Sequence, residues 1–193
     1  MKYIKQEIPD ILLIEPEVYS DERGYFAETF RNDELSNALG YDINFIQDNE
    51  SKSNKGVLRG LHFQIPPYAQ SKLVRVIQGD VLDVAVDIRK NSPTFGKHVS
   101  AKLTSDNFKQ MFIPHGFAHG FVVLSETAIF SYKVDQIYSP DNERGLKYDD
   151  QDLKINWTYP KENLILSDKD LSQPELRELK DYFFYKGSDC ESC

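Results

Sequence analysis

Between Ser71 and Lys90 the chain reads SKLVRVIQGDVLDVAVDIRK, two β-rich runs on either side of Gly79-Asp80. In the second run Leu82, Val84, Val86 and Ile88 share one face of a strand, while Asp83, Ala85 and Asp87 share the other. The pair predicts a β-hairpin turning at Gly79-Asp80. The runs KHVSAKLT, QMFIP, GFAHGFVVLS and TAIFSYKVD follow, with turn residues between them, up to about Tyr138. Upstream, ILLIEPEVYSD (11–21) and GYFAETF (24–30) predict an N-terminal arm of short strands. NDELSNALG predicts a short helix with Asn32 as N-cap and Gly40 as terminator. The C-terminal SQPELRELKDYFF predicts a second helix: Ser172 and Glu175 have capping-box spacing, and Leu176, Leu179 and Phe183 form an apolar stripe suited to packing. Short strands with turns every 8–12 residues or so predict a mainly β sandwich or barrel.

Composition narrows the picture. With 193 residues, 40% of them hydrophobic, the chain is expected to form one domain over residues 1–193, with about 186–193 a disordered tail. Twelve Phe and eleven Tyr favour strands over a helical bundle. The net charge of -8 argues against nucleic acid as a partner, although an arginine pair can still hold a small anion. No apolar run approaches the roughly 18 residues of a membrane span, and MKYIKQEIPD lacks the core of a signal peptide, so a cytoplasmic protein is expected. Both cysteines, Cys190 and Cys193, lie in the terminal CESC; with no second pair near them, a frayed end is the plainer reading.

Five polar residues, Arg59, His62, Lys72, Asp83 and Tyr132, are embedded among apolar strand residues. Buried charge is costly unless paired or used, so the set fits the lining of a cavity inside a barrel better than a core. IPHGFAHGF (113–121) carries a P-x-G-x-x-H pattern similar to the second signature of the cupin jelly rolls, and GLHFQ falls where cupins carry their first. Metal-binding cupins place H-x-H there; this chain has His62, Phe63 and Gln64, a poor ligand set, so no metal is expected.

Longer segments carry a more specific likeness. DERGYFAETF, QDNESKSNKGVLRGLHFQIPPYAQSKLVRVIQGDVLDVAVDIRKNSPTFGK, IPHGFAHGF and LILSDKD resemble the dTDP-4-dehydrorhamnose 3,5-epimerase family, over about residues 3–175. The resemblance implies a cupin-type jelly roll with an N-terminal strand arm, homodimeric with arm exchange, needing no cofactor. It implies a nucleotide-sugar substrate, dTDP-4-dehydro-6-deoxy-D-glucose, on the route to dTDP-L-rhamnose. By the same resemblance His62 is the base, Asp170 its orienting carboxylate (preferred over Asp168), Lys72 the cation facing the enolate and Tyr132 the acid. Asp83 is a possible second orienter. Arg23 and Arg59 match pyrophosphate contacts, Phe26 and Tyr138 thymine walls, and Glu28, Gln47 and Asn49 polar contacts; His119 and Lys169 complete the set.

Arg59 and His62 are three residues apart on one predicted strand and should point to opposite faces. Both reach one pocket only if the strand bulges between them, and Gly60 is the expected place. Other readings stay open on the residues: a relative inverting only C3 or C5, a ketoisomerase, a non-catalytic carbohydrate-binding jelly roll, or a metal-dependent cupin oxygenase.

Overall fold

The computed structural model describes residues 1–180 and 182–185. The strands are β1 (Lys2–Lys5), β2 (Leu12–Glu15), β3 (Val18–Asp21), β4 (Gly24–Ala27), β5 (Gln47–Asn54), β6 (Leu58–Gln64), β7 (Lys72–Gln78), β8 (Asp80–Asp87), β9 (His98–Thr104), β10 (Gln110–Ile113), β11 (Phe117–Val123), β12 (Thr127–Val134) and β13 (Glu143–Gly145). The helices are α1 (Asn32–Leu39) and the single turn α2 (Asp168–Leu171). Two sheets, ordered β1-β2-β10-β7-β12-β5 and β13-β6-β11-β8-β9, pack face to face as a jelly roll, while β3 and β4 form a separate ribbon. No helix among the described residues is long and apolar enough to cross a membrane.

The alternation read from β8 decides where the layers lie. Its Val81 and Ala85 enter the core between the sheets, beside Val74, Met111, Phe121 and Phe130. Leu82, Val84, Val86 and the following Ile88 instead face outward, under a blanket of C-terminal residues that includes Tyr148, Trp157 and Leu176. A third cluster seats α1 through Leu35 on Leu12, Ile14, Leu73 and Phe112 of the first sheet's outer face.

Three local expectations are corrected. The runs flanking Gly79 do not pair: β7 joins β10 and β12, β8 joins β11 and β9, and Gly79 (φ 82°) is a corner between sheets. A turn signal reports a reversal of the chain, and both faces of β8 are buried, so its partners come from distant sequence. Arg31, not Asn32, is the N-cap of α1, while Gly40 closes it in the left-handed region (φ 79°) as expected. The C-terminal helix is replaced, among the described residues, by a 3-10 turn at Leu176–Glu178 whose capping box joins Glu175 to Glu178. Leu176, Leu179 and Phe183 still pack on the second sheet, but as an irregular strap, so tertiary contact overrides helical periodicity. Cys190, Cys193 and the expected tail at 186–193 lie outside the described residues.

Candidate active site

The β6–β11 pairing answers the parity problem. His62 stands opposite His119 and Arg59 opposite Phe121, so two residues of β6 face the single Gly120 of β11: a bulge at Gly60-Leu61. Gly60 has φ 124°, and a Cβ there would lie 2.5 Å from the Gly120 Cα. Only glycine allows this approach. The bulge turns Arg59 and His62 to the same side, while Leu58 and Leu61 both enter the outer apolar cluster.

That side opens onto a cavity of about 520 Å³ between the sheets. Arg59, His62 and His119 line it from the second sheet, Lys72 and Tyr132 from the first, and Lys169 and Asp170 from α2. The stacked rings of Phe121 and Phe130, 4.1 Å apart, supply apolar wall.

Each polar group has a defined electrostatic setting. His62 Nε2 meets Asp170 Oδ1 at 2.5 Å, leaving Nδ1 as the other ring nitrogen. Ser167, the N-cap of α2, donates to Asp170 Oδ2 at 2.7 Å and accepts from the Asp170 N–H at 3.2 Å. Burial alone would raise the Asp170 carboxyl, but hydrogen bonds from His62 and Ser167 hold it below the usual carboxylate range. A second pair lies deeper: the Asp83 carboxylate, fully buried, meets His119 Nε2 at 2.9 and 3.0 Å. Asp83 therefore orients His119 rather than His62, which corrects its expected role. Burial pushes His119 down, aided by Lys72 and His62 and opposed by Asp83. Burial also pushes Lys72 down to about 8, against the pull of Asp83 and Glu143. The Tyr132 phenol is raised by burial, with Arg59 opposing, and stays protonated.

The remaining expected residues divide by position. Gln47 and Asn49 share the partly buried face of β5, and Gln47 Nε2 donates to Asn49 Oδ1 at 2.7 Å. Tyr138 is 56% exposed and does not itself line the cavity; its hydroxyl donates to Glu143 Oε2 at 2.6 Å. Arg23, Phe26 and Glu28 are not brought to the cavity within one chain. Arg23 and Phe26 are exposed on the β3–β4 ribbon, where Arg23 pairs with Asp21, and exposed Glu28 follows it.

Two residues went unread in the sequence. Glu143 links Tyr138 to Lys169, whose Nζ lies at 2.5 Å, and is held below its usual range by those bonds against burial. Ser167 could have been found, since S-x-x-D before a helical turn is a capping pattern. Glu143 carries no such signal, because its pairing to β6 is long-range. Among the described residues no group of three His, Cys, Asp or Glu side chains is arranged to hold a metal ion.

Fold and cavity together define a cupin-type protein built for acid–base chemistry on a bound small molecule. The family model for dTDP-4-dehydrorhamnose 3,5-epimerase matches residues 5–178, and the chain belongs to that family. It is 53% identical over 183 residues to the Shigella flexneri dTDP-4-dehydrorhamnose 3,5-epimerase, covering 95% of this chain and 99% of that one. It is 51% identical to the Escherichia coli K12 enzyme of the same name, covering 93% and 96%. Among solved structures, the Legionella pneumophila dTDP-6-deoxy-D-glucose-3,5-epimerase bound to dTDP-4-keto-L-rhamnose superposes with a TM-score of 0.92 at 44% identity, covering 96% and 98%.

Proposed function

We propose that this protein inverts C3 and C5 of dTDP-4-dehydro-6-deoxy-D-glucose to give dTDP-4-dehydro-L-rhamnose, as a cytoplasmic enzyme of dTDP-L-rhamnose biosynthesis. The observation that carries the reading is the division of the cavity: an oriented histidine comes from one sheet, and a lysine and a phenol from the other. The ketone at C4 acidifies the hydrogens on C3 and C5. His62, with its Nε2 proton held on Asp170, takes a proton at Nδ1, and Asp170 stabilises the imidazolium. Charge develops on the C4 oxygen, where the Lys72 ammonium, mostly protonated at neutral pH, stabilises the enolate. Tyr132 returns a proton to the opposite face of the carbon and is reprotonated from solvent. Inversion at each centre needs the base and acid on opposite sides, which two facing sheets provide.

Arg59, held through Nε by Ser53 at 3.1 Å, supplies the planar fork for pyrophosphate; His119, with Asp83 behind it, and Lys169 flank the sugar. Gln47, Asn49 and Tyr138 take the nucleoside end. Arg23, Phe26 and Glu28 serve the cavity of a second copy in an arm-exchanged homodimer, which accounts for the exposed rings of Tyr19, Tyr25 and Phe26 on the ribbon.

Proton NMR of the nucleotide sugar in D2O tests the reading, beside a His62→Ala control. Deuterium entering C3 and C5, and lost in the variant, supports the double epimerase. Exchange at one carbon moves the assignment to a mono-epimerase, and binding without exchange excludes catalysis on this substrate.

A further inference from the structure

Gln64 occupies the place where a metal-binding cupin has the second histidine of H-x-H, yet its amide is fully committed elsewhere. The residue is 4% exposed. Its Nε2 donates to the Tyr68 carbonyl at 2.6 Å and to the Ile137 carbonyl at 3.1 Å, while its Oε1 accepts from the Ser139 N–H at 2.7 Å. Two of these bonds hold the backbone immediately before and immediately after Tyr138. The ring itself is tethered through its hydroxyl to Glu143, and Glu143 stands opposite Gln64 in the β13–β6 pair. An imidazole could not replace the clamp, since it lacks two donors and an acceptor on one planar end.

We propose that Gln64 is a positioning residue that fixes Tyr138 against Glu143, the partner of the cavity-lining Lys169, so that the broken metal motif serves nucleotide recognition. The inference rests on the reading of Tyr138 as a wall of the nucleotide site. A free Tyr138 segment would have to be ordered at each binding event, and that cost would appear in binding rather than in proton transfer.

The test uses calorimetric binding of dTDP alone together with steady-state kinetics. Tyr138→Ala is expected to weaken dTDP about tenfold, the upper range of an aromatic contact. Gln64→Met is expected to weaken dTDP and raise KM about three- to tenfold, with kcat held within about twofold. The double variant should bind no worse than Tyr138→Ala by more than about twofold, because both substitutions remove one contact. Gln64→Glu keeps the shape and the acceptor for Ser139 but retains at most one donor, on a protonated carboxyl; it decides the matter should Gln64→Met not fold. Losses that multiply, an unchanged dTDP affinity in folded Gln64 variants, or a fall in kcat at constant KM would each overturn the proposal. An unchanged affinity in Tyr138→Ala would instead remove the underlying reading of Tyr138, and the inference with it.

Discussion

Asp170→Asn isolates the orienting carboxylate with almost no change of shape. The Asp170 side chain is 6% exposed and its Oδ1 lies 2.5 Å from His62 Nε2. Ser167 already donates to the other oxygen, so the new amide keeps its Oδ1 towards Ser167 and turns its NH₂ to His62. Nε2 must then accept, the ring proton moves to Nδ1, and the nitrogen proposed to take the substrate proton loses its lone pair. The charge is also lost. Two unit charges about 4 Å apart at an effective dielectric of about 20 interact by about 4 kcal/mol. Withdrawn from a transition state that builds an imidazolium, that corresponds to about three decades in kcat. Deuterium incorporation at C3 and at C5, followed by NMR in D2O, should fall together by about 10³-fold, since in the proposed reaction one base serves both carbons. Thermal unfolding should shift by only a few degrees. A loss below about tenfold, or a loss at one carbon alone, would refute the orienting role.

Lys72→Met should lower kcat by about 10²–10³-fold through loss of the enolate's counter-charge. In the parent protein kcat should fall as pH rises through about 8, where Lys72 deprotonates. Stability runs the other way: the folded-state pKa is depressed, so the charged lysine destabilises the fold below about 8 and this penalty is relieved between about 8 and the unfolded value. Lys72→Met should therefore be more stable at pH 7, by about 1–2 kcal/mol after allowance for water in the cavity, as read by denaturant unfolding. Tyr132→Phe should retain solvent exchange at C3 while inverted product falls by about 10²-fold, and parallel losses of both in the NMR assay would remove Tyr132 as the acid. Gly60→Ala places a Cβ 2.5 Å from the Gly120 Cα at φ 124°; calorimetry should show a loss of at least about 3 kcal/mol, and near-neutral behaviour would contradict the bulge geometry.

Much of the site was legible because polar residues inside apolar strand runs are conspicuous. Arg59, His62, Lys72 and Tyr132 pointed to a cavity by their places within apolar strand runs, and once Arg59 and His62 were expected to share it, side-chain parity required the irregularity at Gly60. Strand β5, QDNESKSN, offered no apolar pattern because it is the sheet's edge, with one partly buried polar face and the other exposed. Its identity as a strand came only from pairing with β12. Asp83 looked the same as any cavity-lining carboxylate, and only the β8–β11 register, which sets Asp83 opposite Phe121 beside His119, assigned it to that ring.

The sequence by itself determined the class of fold, the two faces of β8 and the residue types available for proton transfer, because these are local: alternation, turn chemistry and the cost of burying charge act within a few residues. Tertiary structure alone decided which strands pair, that Gly79 is a corner between sheets, and that the C-terminal segment lies down as a strap. It also brought Asp170 to His62 across 108 residues and enlisted Ser167 and Glu143. Those outcomes depend on contacts far apart in the chain, whose energies come from mutual burial and register and leave no periodic trace in the residues that make them.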